Sequence, residues 1–310
     1  MNKVLVIAGP TGCGKTELSV KIAERIGAEI ISCDSMQIYK GMDIGTAKAT
    51  KEEMRGIPHH MIDFISPKGS YSVSDFCRDA KLEAEKIFKK GKPVIMVGGT
   101  GLYADSFIKG ISFEENGGKD ESIRLELEAF AKLHGNVALH RELQKIDPKS
   151  AETIHPNNTK RVIRAIEYYR QTGETLWEHN ERTKLIPSPY DYVYIGLTRD
   201  RAELYERIDK RVDLMMEKGL LEEVFELYKS GLSCAHTSMQ ALGYKELFWY
   251  INGKATLSEA VRILKRDSRR YAKRQLTWFG RNPEISWINL TETPDGISQA
   301  MKILETKKFV

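Results

Sequence analysis

The chain has 310 residues, of which 41% are apolar, enough to bury the core of one large domain and an insertion. Lysine and arginine number 48 against 43 aspartate and glutamate, an excess too small to argue by itself for a polyanionic partner. Four cysteines, Cys13, Cys33, Cys77 and Cys234, fall without CxxC spacing, which speaks against a disulfide framework or a zinc site.

The opening MNKVLVIAGP holds one lysine and a short apolar run. That run is too short for a signal or membrane segment, so a cytoplasmic protein without a membrane span is expected. Val4 to Ala8 reads as a buried parallel strand entering a Gly-rich turn. Leu18, Ile22 and Ile26 then recur every four residues and Gly27 supplies a stop, which predicts an amphipathic helix. Ile30-Ile31 is a second strand ending at Asp34, and Val94 to Val97 a third, running into Gly98-Gly99-Thr100 after the helical stretch Val73 to Lys89. This alternation predicts an α/β fold with a P-loop NTPase-like parallel sheet flanked by helices, its ligands gathered where the strands end.

Residues 114–185 are charged and helical in pattern, which predicts an inserted all-helical subdomain between core segments 1–113 and 186–310. Tyr192 to Leu197 resumes the sheet, and Leu204, Ile208, Val212 and Met215 carry the following helix.

Gly9-Pro10-Thr11-Gly12-Cys13-Gly14-Lys15-Thr16 fits G-x-x-x-x-G-K-[ST] between a strand and a helix. Backbone N–H groups of such a loop cradle phosphate, Lys15 adds a point charge and the Thr16 hydroxyl can ligate Mg²⁺. The strand Val94 to Val97 ends in glycine where an NTPase places an aspartate for that metal. The diphosphate can therefore be a leaving group rather than part of a hydrolysed nucleotide.

Asp34 is placed to accept a proton beside the phosphates, or else to cap a turn. Arg207 and Arg211, one helical turn apart, can clasp a diphosphate or simply face solvent, with Glu203 paired to Arg207. Between Arg262 and Arg274 lie seven basic residues and one acid, with Tyr271 and Trp278 nearby. That pattern suits nucleic acid, with exposed rings stacking on bases, or a solvated helix whose rings face the core. Lys160, Arg161 and Arg164 form a second basic stretch on the insertion.

GPTGCGKT, ISCDSMQIYKGMDIGTAK, VGGTGLY, IHPNNTKRVIRAIE, QALGYKE and YAKRQLTWF, in that order, resemble the blocks of the bacterial tRNA dimethylallyltransferases over nearly the whole chain. The resemblance implies Mg²⁺-dependent transfer of a dimethylallyl group from dimethylallyl diphosphate to N6 of adenosine 37 in tRNAs reading codons that start with U. It assigns Asp34 as general base, Thr100 as an orienting residue, and Lys15 with Arg211 as stabilisers of the leaving diphosphate. It lays Asp34, Ser35, Met36, Gln37 and Thr100 against the tRNA. On the insertion it adds Asn158, Thr159, Lys160 and Arg161, and further along Gln240, Gly243, Tyr244 and Lys245. Lys273 and Arg274 of the basic helix are expected to join them.

Gly12-Cys13 departs from the small Ala/Ser residues common in that family's loop, a change backbone binding tolerates. The C-terminal zinc-finger pattern of eukaryotic relatives is missing from the sequence, so the bacterial form is expected, acting as a monomer. The competing readings are a P-loop small-molecule kinase, a cytokinin-type isopentenyltransferase acting on free adenylate, and a non-catalytic RNA-binding module.

Overall fold

The computed structural model describes residues 2–111 and 121–310, which fall into two compact units, 1–108 with 189–310, and 109–188. The second unit starts and ends outside the 114 and 185 expected for the insertion, and the 113/114 junction itself lies outside the described residues.

The first unit is built on six parallel strands: β1 (Lys3–Ala8), β2 (Glu29–Ser32), β3 (His59–His60), β4 (Val94–Gly98), β5 (Asp191–Thr198) and β6 (Ser286–Asn289). Their order is β3-β2-β4-β1-β5-β6. In this register Ala8 pairs with both Gly98 and Gly196, so the loops after β1 and β4 leave the sheet side by side. Asp34 follows β2, which pairs Ser32 with Val97, so the carboxyl ends of three strands share one edge. Leu5, Ile7, Ile30 and Ile195 are buried on one face of the sheet and Val4, Val6, Ile31 and Met96 on the other. Burial on both faces explains why these strands read as unbroken apolar runs.

The amphipathic helix Lys15–Ile26 ends at a left-handed Gly27, as the sequence predicts, and the predicted helix Val73–Lys89 begins with a capping box at Ser72 and Asp75. Every described element of the second unit is a helix: Glu121–His134, Asn136–Ile146, Pro148–Thr153, Thr159–Thr172 and Leu176–Lys184. They close around Leu139, Leu143, Val162 and Ile166. Among the described residues no helix is long and apolar enough to cross a membrane.

Candidate active site

The loop Gly9 to Gly14 joins β1 to the helix Lys15–Ile26 in a conformation that its glycines permit. Gly9 has φ 145°, and a Cβ there would lie 2.5 Å from the Leu197 carbonyl oxygen of β5. The loop is braced from behind. Arg199 Nε donates to Cys13 O at 3.2 Å and Arg207 Nε to Gly12 O at 3.1 Å. Lys15 Nζ folds back to donate to Pro10 O at 2.8 Å. Thr16 is exposed in the first turn of the helix, where orphan N–H groups and the helix dipole favour an anion.

A cavity of about 1060 Å³ opens over this loop. Lys15, Thr16, Asp34, Arg211 and Arg274 line it, together with Gly98 and Gly99. Distant segments are brought together here by the common strand edge, as the α/β reading expects.

Asp34 combines both readings open to it. Its Oδ1 accepts the Met36 N–H at 2.9 Å, closing a tight turn, while Oδ2 has no hydrogen-bond partner among the described residues. The neighbouring Ser35 N–H donates to Thr100 Oγ1 at 3.1 Å. Thr100 also donates to Ser35 Oγ at 3.4 Å, and it does not line the cavity. Its hydroxyl is thus occupied with the Ser35 turn, a correction to the expectation that it meets the acceptor directly. The Tyr271 phenol is pushed up to about 12, first by burial and then by the Asp34 charge.

The two arginines part company. Both line the cavity, but Arg207 gives its Nε to the loop carbonyl, whereas Arg211 makes no hydrogen bond or salt bridge among the described residues. Burial lowers the Arg211 guanidinium from its usual range, and the Asp34 carboxylate opposes that shift. A half-buried cation without a direct ionic partner has its energy cost offset only when an anion arrives.

The basic helix is only partly free. Lys265 pairs with Asp213, Arg269 with Asp209, and Arg266 and Arg270 with Asp267. Lys273 and Arg274 are exposed without ion pairs among the described residues, Arg274 lying over the Tyr271 ring. Trp278 is not a stacking platform, since its indole N–H donates to Asp105 at 2.8 Å and its ring covers Gly101.

Gln37 and Lys245 line the cavity, and Ser35 and Met36 flank Asp34 there. Gln37 Nε2 donates to the Thr46 and Ala47 carbonyls at 3.3 Å while Oε1 accepts Ser32 Oγ at 3.0 Å. Gln240 is exposed at the cavity rim, its amide given to Cys234 O.

Tyr244 and Gly243 are buried and off the cavity wall, which corrects their expected contact with tRNA. Tyr244, 0% exposed, donates its hydroxyl to Glu223 Oε1 at 2.6 Å. Glu223 in turn accepts the Asp43, Ile44 and Gly45 N–H groups at 2.8, 2.8 and 3.1 Å. The QALGYKE block therefore shapes the loop that holds Gln37.

In the second unit Asn158 is the N-cap of Thr159–Thr172 and makes no side-chain cap bond. Lys160 and Arg161 are exposed in the first turn with no ion pair among the described residues, where the helix dipole disfavours positive charge. Uncompensated cations at that position suit an external anion.

Among the described residues no group of three or more His, Cys, Asp and Glu side chains is placed to hold a metal. Thr16 is a lone hydroxyl beside the phosphate loop, which fits Mg²⁺ only in the form that keeps waters and rests mainly on substrate phosphates.

The family model described as IPP transferase matches residues 37–282. The chain belongs to the IPP transferase family. Full-length relatives agree: it is 51% identical over 309 residues to the tRNA dimethylallyltransferase of Acetivibrio thermocellus, covering 100% of this chain and 97% of that one. To the tRNA dimethylallyltransferase of Halalkalibacterium halodurans it is 48% identical, covering 99% and 96%. Among solved structures it resembles the tRNA isopentenylpyrophosphate transferase of Bacillus halodurans, with TM-score 0.73, 46% identity and coverage of 100% and 95%. A eukaryotic dimethylallyltransferase acting on tRNA gives TM-score 0.86 at 30% identity, covering 100% of this chain and 79% of that one. As an IPP transferase family member the chain carries its phosphate loop and Asp34 ahead of the matched segment, and Arg211 within it.

Proposed function

We propose that this chain transfers a dimethylallyl group from dimethylallyl diphosphate to the exocyclic N6 of adenosine 37 in tRNAs that read codons starting with U. The observation that carries this reading is one cavity lined by Lys15, Thr16 and Arg211 together with the half-partnered Asp34. A phosphate cradle and a proton acceptor facing one space suit displacement of diphosphate by a nitrogen nucleophile. The relatives named for transfer to tRNA lend nothing to the kinase or free-adenylate readings.

Loop N–H groups hold the diphosphate, and Lys15 swings from Pro10 O onto it. Arg211 meets the charge that grows on the leaving oxygen. N6 attacks the allylic carbon as the carbon–oxygen bond breaks, and the N6 proton passes to Asp34 Oδ2, leaving diphosphate as product. Bound Mg²⁺ would supply charge neutralisation of the diphosphate, held by Thr16 and substrate oxygens. Adenine N6 is a weak nucleophile, so alignment of the two substrates is worth about 7–11 kcal/mol. The adenine must first leave its stack, at a cost of about a few kcal/mol. Gln37, Lys245 and Arg274 at the cavity, and Asn158 to Arg161 on the helical unit, are assigned to the anticodon stem-loop. The chain is assigned to the cytoplasm as a monomer.

The test is transfer of label from dimethylallyl diphosphate to an unmodified anticodon stem-loop with adjacent adenines, with Mg²⁺, beside the same reaction on AMP. Product on the stem-loop alone is expected. Product on AMP alone, or phosphate moved from ATP to a small acceptor instead, would replace this reading.

A further inference from the structure

One face of the helix Leu257–Phe279 contacts the turn after β4 residue by residue. Gln275 Nε2 donates to Gly99 O at 2.9 Å, and Tyr271, one helical turn before it, lies near Thr100. Trp278, a turn later, lies across Gly101, where an added Cβ would be 2.2 Å from the indole. Gln275 does something its two neighbours do not. Its Oε1 accepts the Thr11 N–H of the phosphate loop at 2.9 Å, so a single amide joins that loop to the turn after β4.

The orientation of this amide follows from its partners, because a backbone N–H can only donate and a carbonyl can only accept. Gln275 is 5% exposed, and an added Cβ at Gly99 would lie 2.1 Å from its Nε2, so the amide packs directly on that glycine. Thr100 is the next residue on the turn and receives the Ser35 N–H at 3.1 Å, and Ser35 adjoins Asp34. The chain of contacts thus runs from the phosphate loop through one amide to the carboxylate.

We propose that Gln275 is a positioning residue that fixes the separation between the diphosphate-holding loop and the Asp34 turn. The inference rests on the transferase reading above. Buried hydrogen bonds with both partners matched hold geometry, and leaving one end unmatched forces a shift or an orphaned group. Misplacement of reacting groups by 1 Å costs about 10²-fold in rate. Sequence offers no sign of this role, since an uncharged amide inside a basic helix stands out in neither charge nor periodicity.

Gln275→Glu keeps an acceptor for Thr11 but sets a carboxylate oxygen against the Gly99 carbonyl, and Gln275→Leu keeps the bulk while removing both bonds. Single-turnover transfer at saturating dimethylallyl diphosphate and stem-loop is expected to fall about 30- to 100-fold in each. Gln275 also lines the cavity, but its amide is committed to Thr11 and Gly99, so affinity for either substrate, read by equilibrium binding, should stay within about threefold. Transfer at the native rate in a folded Gln275→Glu chain overturns the positioning role, as does a rate loss matched by lost affinity. Loss of the native melting temperature in both variants would make Gln275 a folding residue and overturn it as well. If the unaltered chain fails to label the stem-loop, the transferase reading falls and takes this one with it. An active unaltered chain with an equally active Gln275→Glu variant sinks the positioning role alone.

Discussion

Strand β2 begins at one carboxylate and is followed two residues past its end by another, and the two are treated in opposite ways. Glu29 at its start is 1% exposed and fully engaged, with His60 Nε2 at 2.9 Å, Lys90 Nζ at 2.9 Å and Lys92 Nζ at 3.0 Å. Burial alone would raise its carboxyl, but hydrogen bonds from Lys90, His60 and Lys92 outweigh burial and bring it down to about 2. Asp34, just past the other end, has one backbone hydrogen bond, one oxygen without a partner, and a cavity in front of it. A charge with a purely structural role is saturated by its own protein, whereas a charge meant for a substrate is left half-partnered. Arg207 and Arg211 repeat the lesson one turn apart on a single helix, both at the cavity, the first bonded to Gly12 O and the second without a partner among the described residues.

If that contrast is right, Arg211→Ala has the largest of the effects considered next. Loss of a preorganised donor to a leaving group costs about 10²–10³ in rate, and single-turnover transfer should show it. Arg207→Ala, measured beside it, is expected to lose less than about tenfold, since Arg199 still braces the loop at Cys13 O. Equal losses in the two would erase the distinction.

Acid titration sharpens the Glu29 side. The folded carboxyl lies at about 2 against an ordinary 4.5. Its stabilisation is therefore fully present above about 4.5 and lost as pH falls toward 2, a total on the order of 3 kcal/mol. Unfolding free energy measured across that range should show this loss in the native chain and not in Glu29→Gln.

The smallest effects are expected on the helical unit. Lys160→Ala and Arg161→Ala should each weaken stem-loop binding several-fold and reduce its salt slope by about 1. Affinity for dimethylallyl diphosphate should not change. An unaltered salt slope would remove these residues from the RNA contact.

Much of this was legible in the sequence, and the failures have physical causes. β1, β2, β4 and β5 announce themselves because burial on both faces makes them apolar runs. β3 and β6 close the two edges of the sheet, and with His59–His60 and Ser286–Asn289 they are too short and too polar to register. The phosphate loop is read from spacing because its glycines answer a backbone requirement. Spacing could not separate Arg207 from Arg211, as both sit on the same helix edge and only the fold decides which one meets a carbonyl. Tyr244 was misplaced and Trp278 left open for a related reason, since an aromatic residue with a polar tip looks the same whether its partner is a base or a buried Glu223 or Asp105.

The most direct test is a crossed measurement on the two ends of β2, recording melting temperature and single-turnover transfer for Asp34→Asn and Glu29→Gln. The account predicts that Asp34→Asn loses about 10²–10⁴ in transfer while keeping the native melting temperature and tRNA affinity within a few fold. Glu29→Gln should melt earlier while transferring at close to the native rate below its transition. A melting loss in Asp34→Asn as large as that in Glu29→Gln, or full transfer by Asp34→Asn, would contradict the assignment of Asp34 as the proton acceptor.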